Sequence, residues 1–69
     1  MKIKLRSLRL KSHMPMEDLA AKALISKSTI SRIESGDMIP SIDILCRICV
    51  ALGVTLNDMV DCEGGFYDD

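Results

Sequence analysis

The stretch EDLAAKALISKSTISRIESG, residues 17–36, decides the fold, because it holds two helix-forming segments separated by about three residues. In the second segment, Ile30 and Ile33 stand at i and i+3, so that one face can pack against a core. Ser26 precedes this segment as a good N-cap, and Gly36 follows it as the left-handed residue that commonly ends a helix. The stretch therefore predicts two short helices joined by a tight turn.

The rest of the sequence reads as further short helices, and we see no strand pattern in it. Pro15 favours a new helix after it, Ser41 and Thr55 are good N-caps, and Gly53 ends a helix between them. The five predicted helices cover about residues 2–12, 16–23, 27–35, 42–52 and 56–61. Their apolar spacing predicts one core, formed by Leu5, Leu8, Leu19, Ala20, Ile30, Ile33, Leu45, Ile48, Leu52 and Leu56. On the fourth helix, Ile42 and Cys49 follow the same apolar spacing. The predicted fold class is an all-α, five-helix domain with no sheet.

The length of 69 residues suits one compact domain, and 48% of the residues are hydrophobic. A chain of about 60 residues buries only roughly 60% of the surface that its unfolded form exposes, so such a domain needs an efficient core. We expect the domain to span residues 1–62 and a short acidic tail to span residues 63–69. Phe66 and Tyr67 in this tail can be frayed or can cover apolar positions of the domain, and both alternatives stay open.

Charge is distributed unevenly along the chain, although the net charge is only −1. Residues 1–32 hold eight of the nine basic side chains and two acidic ones, whereas residues 33–69 hold one basic and eight acidic side chains. Such a chain can turn a positive face toward the phosphates of a nucleic acid and keep an acidic face away from them. Two ordinary solvated surfaces would show the same charges, so charge alone leaves both interpretations open.

The surface of the predicted helix 27–35 favours DNA as the partner. Beside its apolar face it carries side chains that are short or cationic, namely Lys27, Ser28, Ser31 and Arg32. A helix in the major groove needs donors for base edges and no negative charge opposite phosphate. Arg32 can donate two hydrogen bonds to O6 and N7 of a guanine, whereas Lys27 can reach a guanine or a phosphate. Together with the tight turn before it, this helix predicts a helix-turn-helix unit that binds duplex DNA.

Five segments of the sequence resemble the phage repressor and Cro type of helix-turn-helix domain, often called the Xre family. These segments are LRSLR (5–9), EDLA (17–20), ISKSTISRIESG (25–36), PS (40–41) and ALGVTLNDMV (51–60). The resemblance implies a five-helix domain whose third helix reads the major groove. It places at the DNA Ser26, Lys27, Ser28 and Arg32, with Thr29 and Ser31 as possible extra contacts. It also implies an ion pair between Arg9 and Glu34 that ties the first helix to the end of the third.

Several positions near the expected DNA contact depart from the family pattern. Met16 stands where the family usually has a Gln that binds a phosphate, and Asp37 stands where a Lys often approaches one. Leu24 and His13 occupy positions where Gly is common. Each lost phosphate contact removes counterion release, so we expect weaker non-specific affinity and an intact reading helix.

No set of residues in the sequence predicts an enzyme. We find no Ser-His-Asp order, no paired-acid site and no glycine-rich phosphate loop. Cys46 and Cys49 spell C-x-x-C, but a zinc site needs about four ligands, and the remaining candidates, Cys62 and His13, lie in distant segments. Cys49 falls on the core face, where a free cysteine behaves as a small hydrophobe, so a structural role is favoured over a metal or redox role. We expect no metal, no cofactor and no small-molecule effector.

The start of the sequence, MKIKLRSLRLKS (1–12), is too charged to form the apolar core of a signal peptide. No apolar run approaches the ~18 residues that are needed to span a bilayer. We therefore expect a cytoplasmic protein with reduced thiols and no membrane partner.

We expect the protein to act as a homodimer, because two-fold pairing supplies a second DNA half-site. The predicted seam lies on the fourth helix, the fifth helix and the tail, with Cys46, Val50 and Met59 as its candidate residues. Val50 is apolar at a position where the family usually has Lys or Glu. The leading function is a sequence-specific transcriptional regulator, most often a repressor in this family. The alternative is an antitoxin-like or bridging protein whose acidic half binds a protein and whose affinity for DNA is secondary.

Overall fold

Five α-helices and one small antiparallel sheet make up residues 2–61, the part of the chain that the computed structural model describes. The elements follow in the order β1 (Lys2–Ile3), α1 (Leu5–Lys11), α2 (Met16–Ala23), α3 (Lys27–Ser35), α4 (Ile42–Leu52), α5 (Leu56–Met59) and β2 (Val60–Asp61). The mostly helical architecture confirms the predicted fold class. The predicted tail, with Phe66 and Tyr67, lies outside the described residues. None of the helices in residues 2–61 has the length and apolar character that crossing a membrane requires.

Local capping signals set the helix boundaries. The hydroxyls of Ser26, Ser41 and Thr55 accept hydrogen bonds from backbone N–H groups three residues later, at the starts of α3, α4 and α5. Asp58 completes a capping box by accepting a hydrogen bond of 3.1 Å from the Thr55 backbone N–H. Hydrogen bonds with the Thr55 backbone and side chain lower the pKa of the Asp58 carboxyl. Because these signals are local, the predicted bounds of α2, α3 and α4 agree with the structure.

The small sheet corrects the prediction that the fold contains no strand. Lys2 pairs with Asp61 and Ile3 pairs with Val60, and the Lys4 N–H donates to the Met59 carbonyl at 2.8 Å. As a result α1 begins three residues later than predicted, and α5 ends two residues earlier. Strands of two residues carry no readable periodicity, and these two form only because the helices bring both segments together.

The core lies where α2 packs against α3 and α4. Its buried apolar side chains are Leu5, Leu19, Ala20, Ala23, Ile30, Ile33, Leu45, Ile48, Cys49 and Met59. Leu8 and Leu52, which were predicted as core residues, are only partly buried against this cluster. The predicted core therefore matches the observed one along α2, α3 and the middle of α4.

Three apolar residues lie elsewhere than predicted. Leu56 is exposed, because α5 is a single turn and turns its last residue, Met59, into the core instead. Met59 is fully buried, so its assignment to a dimer seam is wrong. Ile42 is 66% exposed although it follows the apolar spacing of α4, since it is the first residue of that helix and lies beyond the core.

Truncation of two isoleucines on α4 tests this core assignment. Ile48 is fully buried, so Ile48→Ala should lower the free energy of unfolding by about 2–5 kcal/mol. Ile42→Ala removes the same atoms from an exposed position and should change stability by less than about 1 kcal/mol. Urea unfolding followed by circular dichroism measures both values. Equal destabilisation by the two substitutions would show that the assignment of the buried face is wrong.

Candidate nucleic-acid interface

The turn between α2 and α3 is built on a left-handed leucine. Leu24 has φ 58° and ψ 45°, and its N–H and that of Ile25 both donate to the Ala20 carbonyl. A left-handed backbone costs a residue with a Cβ atom roughly 1–2 kcal/mol, which is why glycine is the usual residue in such turns. The Leu24 side chain is 79% exposed, so burial does not offset this cost in the described residues. The turn nevertheless directs α3 across α2, where the buried Ile30 and Ile33 fix it.

The outer face of α3 presents hydrogen-bond donors to solvent. Ser28, Ser31 and Arg32 are exposed, and Arg32 stands one turn beyond Ser28 on the same face. Arg32 forms no ion pair with any carboxylate of residues 2–61. Its guanidinium is therefore able to donate two parallel hydrogen bonds to a planar acceptor such as a guanine edge.

Ser26 and Thr29, two further predicted contacts, interact with each other at the start of α3. The Thr29 N–H donates to Ser26 Oγ at 3.1 Å, and the two hydroxyl oxygens lie 2.8 Å apart. Thr29 is also half-buried. The Ser26 hydroxyl is therefore the predicted N-cap of α3, and the Thr29 hydroxyl contacts it.

Lys27, the remaining predicted contact, lies at the first position of α3 and faces an acidic residue of α2. Its Nζ is 3.6 Å from Oε1 of Glu17, and both side chains are largely exposed. This pair was not predicted from the sequence. It brings a carboxylate close to the cation that was expected to reach a guanine or a phosphate.

A groove beside α3 adds a cation that the sequence analysis did not single out. The groove measures about 280 Å³ and is lined by Arg6, Arg9, Met16, Ser31, Glu34 and Ser35. Arg6 is exposed and so places a positive charge beside Ser31. Among the many basic residues of α1, spacing alone gave no reason to choose Arg6, because only the packing of α1 against α3 brings it there.

Arg9 and Glu34 lie in contact and are almost buried, with side-chain exposures of 10% and 4%. Arg9 Nε donates to Glu34 Oε2 at 2.6 Å, and Nη2 donates to Oε1 at 3.1 Å. Nη1 donates to the Met14 carbonyl at 3.0 Å, so the guanidinium also holds the loop between α1 and α2. The hydrogen bond to Glu34 raises the pKa of Arg9, although burial acts in the opposite direction. The pair connects α1 with the end of α3.

The C-x-x-C cysteines of α4 have different surroundings. Cys46 is exposed and Cys49 is buried, where burial raises the pKa of its thiol. Within residues 2–61, no three side chains of the His, Cys, Asp or Glu type gather as metal donors. Cys62 lies outside the described residues. The described geometry thus gives Cys49 a place in the core.

A second surface, the apolar patch, is formed by Leu24, Cys46 and Val50. Val50 is 82% exposed and Leu24 is 79% exposed. They border a shallow groove of about 320 Å³ that is lined by Lys22, Ala23, Leu24, Cys46, Arg47 and Val50. Leu24 joins the two predicted seam residues here, and Met59 does not, because it lies in the core.

The model of a family described as helix-turn-helix matches residues 5–59, a stretch that contains all five helices of the structure. A search of curated proteins finds no matching relative.

Two arginine substitutions test the importance of the Arg9–Glu34 pair. Arg9→Ala leaves the Glu34 carboxylate buried without its partner, which should cost about 3–5 kcal/mol of stability. Arg47→Ala is the matched control, because Arg47 pairs with Asp43 at 3.2 Å in an exposed position. The control should cost at most about 1 kcal/mol. Chemical unfolding measures both, and a similar small loss for the two variants would contradict a structural role for the Arg9 pair.

Proposed function

We propose that the chain, which belongs to the Xre and Cro type of helix-turn-helix family and is thus a DNA-binding transcription regulator, represses transcription from a specific operator. The observation that carries the proposal is the outer face of α3. Ser28 and Arg32 are exposed on one side of this helix, while Ile30 and Ile33 hold its other side in the core. A helix fixed in this way offers its donors with little loss of conformational freedom on binding.

In the proposed complex α3 lies in the major groove. Arg32 donates a bidentate hydrogen bond to O6 and N7 of a guanine, and Ser28 lies one turn earlier on the same face. The short side chains of Ser28 and Ser31 allow the helix backbone to approach the base edges closely. Lys27 and Arg6 contribute affinity for phosphate that does not depend on base sequence. The protein would repress by occupying the operator and excluding polymerase from it.

Dimerisation is part of the proposal, because one unit of this size covers a single half-site. Two copies related by a two-fold axis would place two α3 helices in successive major grooves, about 34–36 Å apart. We propose the apolar patch of Leu24, Cys46 and Val50 as the surface that the two copies share. An exposed group of apolar side chains loses its contact with water when a second copy covers it.

The apolar patch also supports a second candidate function, the antitoxin-like or bridging protein. In that case the patch binds a different protein, and affinity for DNA is secondary. Binding to random-sequence duplex at increasing salt separates the two functions. A steep fall of affinity with salt supports the DNA-binding regulator, and binding without any salt dependence supports the second candidate.

Substitutions at Arg32 test base recognition. On the preferred operator, Arg32→Ala should cost roughly 1–3 kcal/mol of binding and relax discrimination at one base pair. Arg32→Lys keeps the charge but loses the planar guanidinium with its paired donors, so it should also relax discrimination between base pairs. Arg47→Lys serves as the control, since Arg47 lies on α4 and pairs with Asp43. Fluorescence anisotropy with the operator and its single-base variants gives the values, and unchanged discrimination in Arg32→Lys would rule out base reading by this residue.

Substitution of Val50 tests the dimer surface. Val50→Glu places a charge in the apolar patch and should abolish self-association without unfolding the domain, because the side chain is exposed. Leu10→Glu is the matched control, since Leu10 is an exposed apolar residue of α1 that borders a different groove. Analytical ultracentrifugation at micromolar concentrations measures the association. A wild-type protein that stays monomeric with and without DNA, or an undisturbed Val50→Glu dimer, would contradict the proposed surface.

A further inference from the structure

The contact between Glu17 and Lys27 joins the first turn of α2 to the first residue of α3. Oε1 of Glu17 lies 3.6 Å from Nζ of Lys27, with 69% and 59% of the two side chains exposed. The next residue of α2, Asp18, is also exposed but borders a groove on another side of the helix, together with His13 and Lys22. Of these two neighbouring acids, Glu17 is the one that pairs with Lys27.

A paired ammonium gains less from a phosphate than a free one. Neutralisation of a phosphate by a lysine releases a condensed counterion, and this release supplies most of the affinity that does not depend on sequence. Before Lys27 can give this contribution, it must exchange the Glu17 carboxylate for the phosphate.

We propose that Glu17 is an anionic competitor that holds Lys27 away from DNA phosphates and thereby weakens binding to duplex of any sequence. The inference deepens the proposed function and rests on it. With phosphate affinity reduced in this way, stable binding depends more heavily on the base contacts of α3. Glu17 acts through Lys27 and does not itself touch a base.

Two amide substitutions in the first turn of α2 test the proposal. Glu17→Gln and Asp18→Asn each remove one negative charge from the positive end of the same helix, but only Glu17→Gln frees Lys27. With a random-sequence duplex, Glu17→Gln should bind about twofold to fivefold more tightly, the range expected from an exposed ion pair. The slope of log affinity against log salt should steepen by up to about 0.9, because one more counterion is released. Asp18→Asn should change both quantities much less.

A double variant separates pairing from simple repulsion between Glu17 and phosphate. In a Lys27→Ala background there is no ammonium left to free, so Glu17→Gln should bring no gain in affinity. An equal gain with and without Lys27 would overturn the proposal, as would equal gains from Glu17→Gln and Asp18→Asn in the wild-type background.

The wild-type measurement separates this inference from the proposed function. If the wild-type protein shows no salt-dependent binding to duplex, the proposed function fails and the role of Glu17 fails with it. If the wild-type protein binds and the Glu17→Gln effect equals that of the control, only the role of Glu17 is overturned.

Discussion

One guanidinium holds three parts of the molecule together. Arg9 extends from α1, donates to both carboxylate oxygens of Glu34 near the end of α3, and donates to the Met14 carbonyl in the loop that leads to α2. All three groups must be present, because burying a charge with only some of its partners costs more free energy than the remaining contacts contribute. The orientation of α3 relative to α1, and with it the place of Arg6 beside Ser31, depends on this arrangement.

The binding surface divides its tasks between buried and exposed residues of the same short helix. Ile30 and Ile33 fix α3 in the core, and the Ser26 hydroxyl caps its first turn. Only the remaining side chains are free to recognise a partner. Six of the nine basic residues precede α3 and Lys27 begins it, yet Arg9 is occupied in the interior and Lys27 is paired at the surface. The number of basic residues therefore overstates the positive charge that the domain can offer to a phosphate backbone.

The sequence predicts helix boundaries best, because the residues that set them act locally. Ser26, Gly36, Ser41 and Gly53 mark helix ends by chemistry that operates within one turn, and the bounds of α3 and α4 follow from it. Contacts between distant segments were harder to predict from the sequence. The exposure of Ile42 and the burial of Met59 depend on where the core ends, which apolar spacing does not specify. The pair of Glu17 with Lys27 depends on which side chains the turn at Leu24 brings together, and neither helix alone specifies that contact.

The pairing of Lys2 with Asp61 has a kinetic consequence. It closes a loop that spans nearly the whole described chain, and closure of so long a loop costs entropy, while the sheet itself contains only two residue pairs. Contacts within α2, the turn and α3 are local, so they can form early during folding. The pairing of β1 with β2 forms late. Local opening of the native state should follow the reverse order. Thermal fluctuations should open the ends first, and amide hydrogens there should exchange with solvent long before those of α3.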